Sequence, residues 1–486
     1  MQWLPWSAAA FARARAERKP VLLSIAAPWC QWCREMDRTS YADPAIVSLI
    51  DHGFIAIRVD ADRRPDIGER YSLGGWPTTA FLTAGGEVVG GGTYIARDRM
   101  AAVLTQVADA FATRADELRA PPAHTRTPSV ESHVREAGED ALLTCVFSAF
   151  DATHGGFGGP PKFPLTAPIH LALNLYREGG DPRMAEVASA TLDAMGWGPL
   201  HDHVDGGFFR YAKEADWQSP QCEKLLDVNA ALLVAYLDAW QTLEATRYRD
   251  RAEDVLRYLQ TWLADQVNGG WAGSQEADAE YYELQTSDER RAVQPPATDA
   301  IIYAASNAAA VSAALRAAAA LADDGLAQFA VRSLERVLLA SYRPAGGVAH
   351  YFDGEARVRG LLDDQIATAL ACLDAYDASG NITYEMMAEE LARYAVRTMW
   401  DEDGGGFFDR AQSDEDESIG LMGQRLKPFD GNCQAAIALG RLAATSGEND
   451  FMTMAQTTLT AVASDAERHG PQAAQYLLAL RAVRVR

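Results

Sequence analysis

The chain has 486 residues, of which 48% are hydrophobic and 23% are charged, and this length exceeds one ordinary hydrophobic core, so we expect two domains. The formal net charge of -23 argues against nucleic acid and anionic membranes as partners, because both bind through Lys and Arg. No apolar run has the length of a membrane helix and the N-terminus lacks a signal-peptide pattern, so we expect a cytoplasmic protein without a membrane span.

The first part of the chain alternates between helical and strand patterns. An amphipathic run over residues 8–18 precedes the apolar strand "PVLLSIAA", and a second strand, "FIAIRVDAD", follows a helix. Two short strands, Thr79 to Leu82 and Glu87 to Val89, are joined by a glycine turn, and a helix begins near Arg97. This alternation predicts an α/β domain over residues 1–118.

Two cysteines stand two residues apart in "APWCQWCREM", after the first apolar strand and at the start of a helix. There the helix dipole and unpaired backbone N–H groups favour a negative charge, so Cys30 becomes a nucleophilic thiolate and Cys33 resolves the mixed disulfide. In the later stretch "GGWPTT", Pro77 is where a thioredoxin-like fold keeps a cis-proline that presents backbone to an extended thiol substrate. We therefore predict Cys30, Cys33 and Pro77 as the catalytic residues.

Two other interpretations of the cysteine pair stay open. A zinc site would need two further ligands, but the nearest histidine is His52 and no second C-x-x-C exists. A structural pair that never turns over is the other alternative. We expect no metal and no cofactor. The other cysteines are scattered singly, as buried thiols in a reducing compartment are: Cys145, Cys222, Cys372 and Cys433.

The segment "RAPPAHTRTPS" is rich in proline and polar residues, which predicts a linker over residues 119–130. After it, strand signals nearly vanish and helical periodicity takes over. We count about twelve helices over residues 131–486, the number that an (α/α)6 toroid of six hairpins requires. A Gly-Gly pair followed by an apolar residue, as in "HVDGGFFRY", recurs through this region and supports the hairpins. An open array of helical hairpins is the alternative.

Loops at one end of such a toroid converge on a central funnel. Sugar chemistry there needs two carboxyl groups, or a histidine or carboxylate that moves a proton, with aromatic rings to hold the sugar. The alternative is that acids and aromatics cap helices and fill the throat of the barrel. His201 and His203 lack a third partner in the sequence, and we interpret them as satisfying local backbone groups. The candidate ligand-binding residues are Arg210, Tyr211, Asp216, Trp217, Glu223, Trp271 and Asp278.

When these motifs are taken together, the whole chain resembles a widespread family of two-domain proteins. The animal member of this family is called a spermatogenesis-associated protein. The resemblance rests on stretches such as "KPVLLSIAAPWCQWCREMDRTSYADPAI", "GGWPTTAFLTAGGEVVGGGTY" and "HDHVDGGFFRYAKEADW". It implies an N-terminal thioredoxin-like domain joined to a six-hairpin toroid similar to glycosidases and N-acylglucosamine 2-epimerases. It implies no settled reaction, because members are mostly described as thioredoxin-domain proteins of unknown activity.

The sequence departs from the family pattern at several positions. Gln31 stands between the cysteines in place of the usual His, which should lower the oxidising tendency of the pair. In "PQCEKLLDVN", Gln221 and Val228 replace an expected His and Asp, so the resemblance implies that chemistry using those groups is lost or altered. The positions that match the motif join the candidate ligand-binding residues: Glu223, Lys224 and Asn229.

The leading functional prediction is thiol–disulfide exchange at Cys30 and Cys33, with a toroid that binds a ligand or partner. The expected partner is a thiol or disulfide protein substrate, or a small sugar-like ligand. The first alternative is a carbohydrate-active toroid, a hydrolase or an epimerase, with a structural or regulatory thioredoxin-like part. The second alternative is a non-catalytic scaffold.

Overall fold

The computed structural model of the chain describes residues 1–114, 138–412 and 418–484. The chain divides into two compact units, Met1–His133 with Gln412–Arg425, and Val134–Ala411 with Leu426–Arg486. The predicted linker, residues 119–130, lies outside the described residues. Our sequence-based division placed all of residues 131–486 in the second domain, whereas Gln412–Arg425 groups with the first unit.

The first unit is an α/β domain. Its strands are β1 (Val21–Ala26), β2 (Ile55–Asp60), β3 (Thr78–Leu82) and β4 (Val88–Gly92). They form one sheet in the order β2-β1-β3-β4, with β1 parallel to β2 and antiparallel to β3. Every residue of β1 is buried, as expected of a strand covered on both faces. Its helices are α1 (Ala8–Glu17), α2 (Gln31–Thr39), α3 (Pro44–Gly53), α4 (Pro65–Tyr71) and α5 (Arg97–Arg114).

The sheet brings the cysteine motif and the "GGWPTT" loop to the same end of its strands. Strand β1 leads into the loop that contains Cys30, and Ile25 near its end pairs with Thr78, the first residue of β3. Pro77 directly precedes Thr78 and therefore lies at the end of the sheet where the cysteine loop begins. The peptide bond between Trp76 and Pro77 is cis.

A segment from late in the chain completes the first unit. The Tyr71 hydroxyl donates a hydrogen bond to the carbonyl of Gly86 (2.8 Å) and accepts one from the N–H of Leu421 (2.9 Å). Gly420 packs directly on Gly86, and a Cβ at Gly420 would overlap the Gly86 carbonyl. Both glycines also have positive φ, so this close approach requires glycine at each position.

The second unit contains a ring of helices. Those helices are α6 (Glu139–Ser148), α7 (Ala167–Gly179), α8 (Pro182–Trp197), α9 (Leu226–Leu243), α10 (Thr246–Tyr258), α11 (Ala279–Tyr282), α12 (Ser287–Arg291), α13 (Ala304–Leu321), α14 (Asp324–Ser341), α15 (Leu362–Ser379), α16 (Ile382–Met399), α17 (Phe429–Ser446), α18 (Asn449–Ala463) and α19 (Ala473–Arg484). Helices α7, α9, α13, α15, α17 and α19 contact one another in that order, and α19 contacts α7, so they close an inner ring. Helices α8, α10, α14, α16, α18 and α6 pack against them one by one on the outside. The predicted (α/α)6 toroid of six hairpins is confirmed.

The sixth hairpin is made from the two ends of the unit. Helix α6 begins the second unit and packs against α19, its last helix. Arg481 and Arg484 of α19 both bind the carboxylate of Glu139 at the start of α6, each at 2.7 Å. Because its first and last helices form one pair, the ring closes through contacts that are remote in sequence.

Short strands precede the inner helices, although the sequence shows few strand signals in this region. They contribute local pairing of loops and leave the toroid architecture intact. The strands are β5 (Tyr211–Ala212), β6 (Pro220–Gln221), β7 (Lys224–Leu225), β8 (Ser274–Gln275), β9 (Thr298–Asp299), β10 (Ile302–Tyr303), β11 (Tyr342–Arg343), β12 (Gly347–Phe352) and β13 (Ala356–Arg359). A π-helix covers Leu259–Leu263, and 3-10 helices cover Gly420–Gly423 and Ala466–Gln472.

Helix α13 is notably apolar. Within the described part of the chain it alone is long and apolar enough to cross a membrane by length and composition. In the fold it is one of the six inner helices, between α9 and α15, and 56% of this stretch is buried. Its small side chains, such as Ala308 and Ala317, allow its neighbours to pack closely.

The Gly-Gly motifs form one recurrent turn with the pattern D-x-x-x-G-G. In the copy at Asp202, the Asp202 N–H donates to the carbonyl of Gly207 (3.0 Å), and the Gly206 N–H donates to the carbonyl of Asp202 (2.9 Å). Both glycines have positive φ, a backbone conformation that residues other than glycine rarely adopt. The same hydrogen-bond pair recurs in the copies that begin at Asp151, Asp265 and Asp401.

Candidate functional site

The cysteine pair opens helix α2. Cys30 is the N-cap residue, and its Sγ accepts a hydrogen bond from the N–H of Cys33 at 3.2 Å. Both are free thiols, and they are 5% and 3% exposed, respectively. The N–H donation and the helix dipole both favour negative charge on the Cys30 sulfur.

The Cys33 thiol is held in its protonated form. Its hydrogen bond with Cys30, its burial and the charge of Cys30 together raise the pKa of Cys33 far above the ordinary value for a thiol. A negative charge on the Cys30 sulfur therefore keeps the proton on Cys33. Of the two sulfurs, Cys30 is therefore the one whose surroundings favour a thiolate.

Aromatic side chains flank the cysteines. The indole Nε1 of Trp29 donates to Asp62 at 2.8 Å, and Trp29 is buried. Trp32, between the two cysteines, is 43% exposed and contacts the ring of Tyr94 edge-on at 5.4 Å. The motif therefore presents one fixed and one exposed tryptophan around the thiols.

A cavity of about 1190 Å³ lies inside the inner ring of the second unit. Much of its wall is alanine from α9, α13 and α15, which leaves the centre of the ring open. Asp227, Asp363 and Asp430 line it, each as the second residue of its inner helix, α9, α15 and α17. These three carboxyl groups therefore gather around the end of the cavity where the inner helices begin.

The three carboxyl groups have raised pKa values. The surrounding protein and the negative charges of Asp364 and Asp430 raise the pKa of Asp363 to about 6. Burial likewise raises the pKa of Asp227 and Asp430. All three side chains are exposed to the open space of the cavity. A carboxyl group that titrates near pH 6 and remains accessible can donate a proton near neutral pH.

Histidines lie close to these carboxyl groups. The Nδ1 of His350 is 3.0 Å from both carboxylate oxygens of Asp364, the neighbour of Asp363. His469 stacks on the ring of Phe429, which precedes Asp430, with ring centroids 3.9 Å apart. Among the described residues, no group of three His, Cys, Asp or Glu side chains is arranged to hold a metal ion.

Ion pairs join the inner helices farther along the cavity. Arg441 of α17 binds Asp374 (2.6 Å) and Asp377 (2.8 Å) of α15, and Arg316 of α13 binds Asp238 of α9. These charges also line or adjoin the cavity, but each has an opposite partner on the next helix. They fix the spacing of the ring, whereas the three aspartates at the helix starts face open space.

The nine toroid residues predicted from the sequence do not line this cavity. Lys224 is fully buried, and its Nζ donates to Asp202 (2.6 Å) and to the carbonyl of Gly206 (2.7 Å). The rings of Tyr258 and Tyr282 lie 4.6 and 5.0 Å from this ammonium group. Lys224 thus neutralises the aspartate of one D-x-x-x-G-G turn.

Asn229 has a comparable role. Its Oδ1 accepts the N–H of Phe208 (2.7 Å) and its Nδ2 donates to the carbonyl of the same residue (3.0 Å), which anchors the turn to helix α9. Asn307, Gln365 and Asn432 make the same pair of bonds to Trp271, Val348 and Phe407. All four amides are buried, so these bonds hold successive loops to successive inner helices.

The predicted tryptophans and Asp278 also have structural partners. Trp217 is 2% exposed, and its Nε1 donates to the carbonyl of His154 at 3.0 Å. Trp271 is buried within the hydrophobic core. Asp278 is the N-cap of α11 and accepts the N–H of Tyr281 at 3.0 Å. Asp278 thus caps a helix, as the alternative held, whereas the two tryptophans pack in the core and do not line the cavity.

Three of the four remaining predicted residues form a small cluster before α9. Arg210 donates to Glu223 at 3.3 Å, and Tyr211 stacks on Phe163 with ring centroids 4.7 Å apart. Asp216 is exposed and lies in a separate turn. The structure therefore brings Arg210, Tyr211 and Glu223 together but places Asp216 apart from them.

His201 and His203 differ from the sequence-based interpretation, in which they satisfy backbone groups. The Nε2 of His201 lies 2.5 Å from a carboxylate oxygen of Asp254, and its Nδ1 lies 3.2 Å from the Nδ1 of His203. Burial, together with the charge of Arg251, lowers the pKa of His201 to about 4. Their partners are side chains because the outer helix α10 supplies Asp254 and Arg251 at this point.

A repeat in the sequence could have located the carboxyl groups of the cavity. The stretches "LDVN", "LDDQ" and "FDGN" begin α9, α15 and α17, and "AASN" begins α13. In each, the amide at the fourth position binds the preceding loop, and the residue at the second position lines the cavity. The second residue is Asp in three copies and Ala305 in the other.

The cation–aspartate pairs of the turns predict how the second unit responds to acid. Although burial alone would raise it, the charges of Lys224 and Arg290 hold the pKa of Asp202 down to about 2, and hydrogen bonds from Asn268 and Arg336 hold that of Asp265 at about 2. Because an unfolded Asp titrates near 3.9, each carboxylate stabilises the fold above about pH 4 and loses this contribution as the pH falls through 2.

We therefore expect the thermal midpoint of the second unit to fall steeply between pH 4 and pH 2. Protonation of the buried Asp202 should lower the free energy of unfolding by about 2 kcal/mol over this pH range. Scanning calorimetry of the full chain at stepwise lower pH measures the effect. A midpoint that stays constant down to pH 2 would contradict it, and Asp202→Asn should flatten the dependence.

Comparison with known proteins supports the two-part architecture. Residues 1–127 match the model of a thioredoxin-like family described as "Protein of unknown function, DUF255". Spermatogenesis-associated protein 20 of Mus musculus is 29% identical over 310 residues, which cover 57% of this chain and 39% of that protein. The chain thus spans about two fifths of the length of this curated relative. Protein disulfide isomerase-like 2-2 of Oryza sativa subsp. japonica is 35% identical over 69 residues, 14% of this chain and 18% of that protein.

A solved structure shares the fold of the toroid. Cellobiose 2-epimerase from Bacillus thermoamylovorans superposes with a TM-score of 0.55 and 12% sequence identity. The superposition covers 68% of this chain and 86% of the epimerase. At this level of identity the likeness shows the fold alone.

Proposed function

We propose that this chain, whose first 127 residues match the model of a thioredoxin-like family and whose second unit is an (α/α)6 toroid, performs thiol–disulfide exchange at Cys30 and Cys33. One observation carries the proposal: Cys30 caps helix α2, and its sulfur accepts the Cys33 N–H at 3.2 Å. A sulfur so placed is stabilised as a thiolate, the form that attacks disulfides. The likeness to a protein disulfide isomerase-like protein over 69 residues supports the same chemistry.

The proposed exchange has two steps. The Cys30 thiolate attacks one sulfur of a substrate disulfide, so a Cys30–substrate disulfide forms and the other substrate sulfur leaves as a thiolate. Cys33 then loses its proton and attacks the Cys30 sulfur, which forms the Cys30–Cys33 disulfide and releases the second substrate thiolate. The substrate gains two electrons and two protons overall, and the cysteine pair is oxidised.

The substrate class follows from the exposure of the attacking sulfur. Cys30 is only 5% exposed, which favours a small disulfide or an extended peptide over a disulfide on a rigid protein surface. Pro77, at the same end of the sheet, would present its neighbouring backbone to such an extended chain. We assign Pro77 to substrate positioning.

The test is reduction of insulin by dithiothreitol in the presence of the full chain. Wild type should accelerate precipitation of the insulin B chain well above dithiothreitol alone. Cys145→Ser, which changes a thiol outside the pair, should behave as wild type and serves as the matched control. A wild-type rate equal to that of dithiothreitol alone, with insulin and with oxidised glutathione, would refute the proposal.

The second unit supports a second function, acid–base chemistry on a sugar-like ligand in the cavity. The observation that favours it is Asp363, whose carboxyl group faces the cavity and titrates near pH 6 beside Asp430. The cavity volume of about 1190 Å³ exceeds what a disaccharide needs. The fold of cellobiose 2-epimerase supports a carbohydrate ligand, although the predicted Glu223 and Asp278 would not be the acting groups.

This second function is tested with a panel of mono- and disaccharides incubated with the full chain. Product formation should survive Cys30→Ser and disappear in Asp363→Asn. Glu223→Gln, at a residue outside the cavity, distinguishes our assignment from the sequence-based one. Absence of both turnover and calorimetric binding across the panel would refute it.

Ionised Asp363 should also lower the free energy of unfolding of the ligand-free protein. Its folded pKa, about 6, lies above the unfolded value, so ionisation destabilises the fold as the pH rises through 6. Asp363→Asn should therefore raise the thermal midpoint at pH 8 and leave it nearly unchanged at pH 4. Water in the cavity screens the charge, so the gain should stay below about 1 kcal/mol. Asp288→Asn, at a fully exposed carboxylate of the same unit, should show no such difference between pH 8 and pH 4.

A further inference from the structure

An arginine of β2 is held against helix α2 close to the resolving thiol. The Arg58 guanidinium donates two hydrogen bonds to the carboxylate of Asp37, at 2.7 and 2.6 Å. Asp37 follows Cys33 by four residues in α2, the spacing that places two side chains on the same face of a helix. The bidentate pair therefore holds the guanidinium, with the Asp37 carboxylate, beside the face of α2 that carries Cys33.

The position of Arg58 is fixed from several sides. Its guanidinium lies 5.4 Å from the centre of the Trp3 ring, and its side chain is 29% exposed. In the sheet, Arg58 pairs with Ser24 of β1, a buried residue with a neutral hydroxyl group. A planar guanidinium with two bonds to one carboxylate has little freedom to reorient.

The groups around Cys33 can be taken element by element. Helix α2 contributes Cys30 and Asp37, and strand β2 contributes Arg58 and, at its end, Asp60, which is paired with Arg63 at 3.4 Å. After α2, the buried phenol of Tyr41 hydrogen bonds to Thr79 of β3 at 3.4 Å. Strand β1 leads to the N–H of Ala27, which stabilises a Cys33 thiolate. Of these side chains, Arg58 is the cation whose charge acts on Cys33.

The balance of these groups changes during the reaction. In the free dithiol, the hydrogen bond and negative charge of Cys30 are major reasons why Cys33 keeps its proton. Once Cys30 is part of a mixed disulfide, its sulfur is neutral and both effects are removed. Burial then opposes ionisation of Cys33, while the Ala27 N–H and the Arg58 charge favour it.

We propose that Arg58, held by Asp37, is the positioning residue that stabilises the Cys33 thiolate in the resolving step. The inference rests on the proposed thiol–disulfide exchange and names what controls its second half. In that step the Cys33 sulfur forms a bond to the Cys30 sulfur, the bond from Cys30 to the substrate sulfur breaks, and the electron pair leaves with the substrate thiolate. The Cys33 proton passes to solvent.

The two steps are separated with 5,5′-dithiobis(2-nitrobenzoate) as the substrate, observed in the full chain by stopped flow. Attack by Cys30 releases one coloured thiolate, and attack by Cys33 on the resulting mixed disulfide releases a second. The double variant Cys30→Ser/Cys33→Ser supplies the background from the other cysteines. Arg58→Met should leave the first release within about twofold of wild type.

The second release should slow about tenfold at pH 7 in Arg58→Met, since removal of a nearby cation shifts a thiol pKa by about one unit. Its pH profile should move upward by about one unit and meet the wild-type rate at high pH. Arg58→Lys, which keeps the charge, should recover most of the rate. Arg38→Met removes an exposed arginine from the same helix and should behave as wild type.

Three results would count against these ideas in different ways. An unchanged second release in Arg58→Met, or in Arg58→Gln if the methionine variant does not fold, overturns the role of Arg58. A second release that is slowed equally at every pH also overturns it, because a displaced helix and not a lost charge would be responsible. If wild type shows no first release above the background variant, the proposed exchange itself fails.

Discussion

Exchange activity should fall by about three orders of magnitude or more when Cys30 is replaced by serine, a loss of the size seen when an enzyme loses its nucleophile. A hydroxyl group at the N-cap can accept the Cys33 N–H as the thiol does, so the fold of α2 should survive the change. Serine oxygen does not attack disulfides. The remaining rate would come from Cys33, whose side chain is 3% exposed and whose burial still opposes ionisation. Insulin reduction and the first release from 5,5′-dithiobis(2-nitrobenzoate) both measure the loss.

Cys33→Ser should give a different result, and the comparison is the sharper test. Without a resolving thiol, the mixed disulfide between Cys30 and substrate persists and should be visible by mass spectrometry of the intact protein. Cys30→Ser should form no such adduct at this position. Equal activity in wild type and Cys30→Ser would assign the exchange to another thiol and remove Cys30 as the nucleophile.

The second large effect concerns the stability of the toroid. Lys224→Met should lower the free energy of unfolding of the second unit by about 3 kcal/mol, because removal of one partner leaves buried Asp202 poorly compensated. Arg290 also binds Asp202, at 2.7 Å, and keeps the loss from being larger. Methionine fills a similar volume among the surrounding rings, so the effect reports the charge pair and not a cavity.

Thermal unfolding of the full chain, followed by calorimetry, measures this change. Lys213→Met is the matched control, because Lys213 lies on the surface of the same unit and should tolerate the substitution. If Lys224 acts mainly on a ligand, as the sequence resemblance implies, Lys224→Met would leave the thermal midpoint unchanged and weaken ligand binding alone. That result would contradict the structural role assigned here.

Some features of the site could be predicted because they are local in sequence. Cys30, Cys33 and the start of α2 lie within a few residues, so a short motif specifies the N-cap geometry. The helical periodicity and the Gly-Gly turns likewise identify the hairpins of the toroid, because each hairpin forms from one continuous stretch. The order of the sheet, with Pro77 beside the cysteine loop, follows from a fold recognised by the same motif.

Other features depend on contacts between distant parts of the chain. Lys224 and Asn229 look like functional polar residues in the sequence, but Lys224 neutralises Asp202 and Asn229 binds Phe208, both in the preceding turn. Asp363 and Asp430 lie in separate helices, and only closure of the ring places them around one cavity. Within one copy, no local pattern distinguishes a carboxylate that faces the cavity from one that caps a helix, and only comparison of the stretches that begin α9, α15 and α17 reveals the shared position.

The sequence by itself determined the two architectures and the place of the cysteine pair at the start of α2, since periodicity and short motifs act over a few residues. The tertiary structure decided which charges are neutralised and which stay available. Lys224 neutralises Asp202, whereas Asp363 faces the cavity and has a pKa near 6. It also placed Gln412–Arg425 in the first unit and brought Arg58 to α2. The reason is physical: burial and Coulomb interactions depend on distance in space, which the order of residues along a chain does not give.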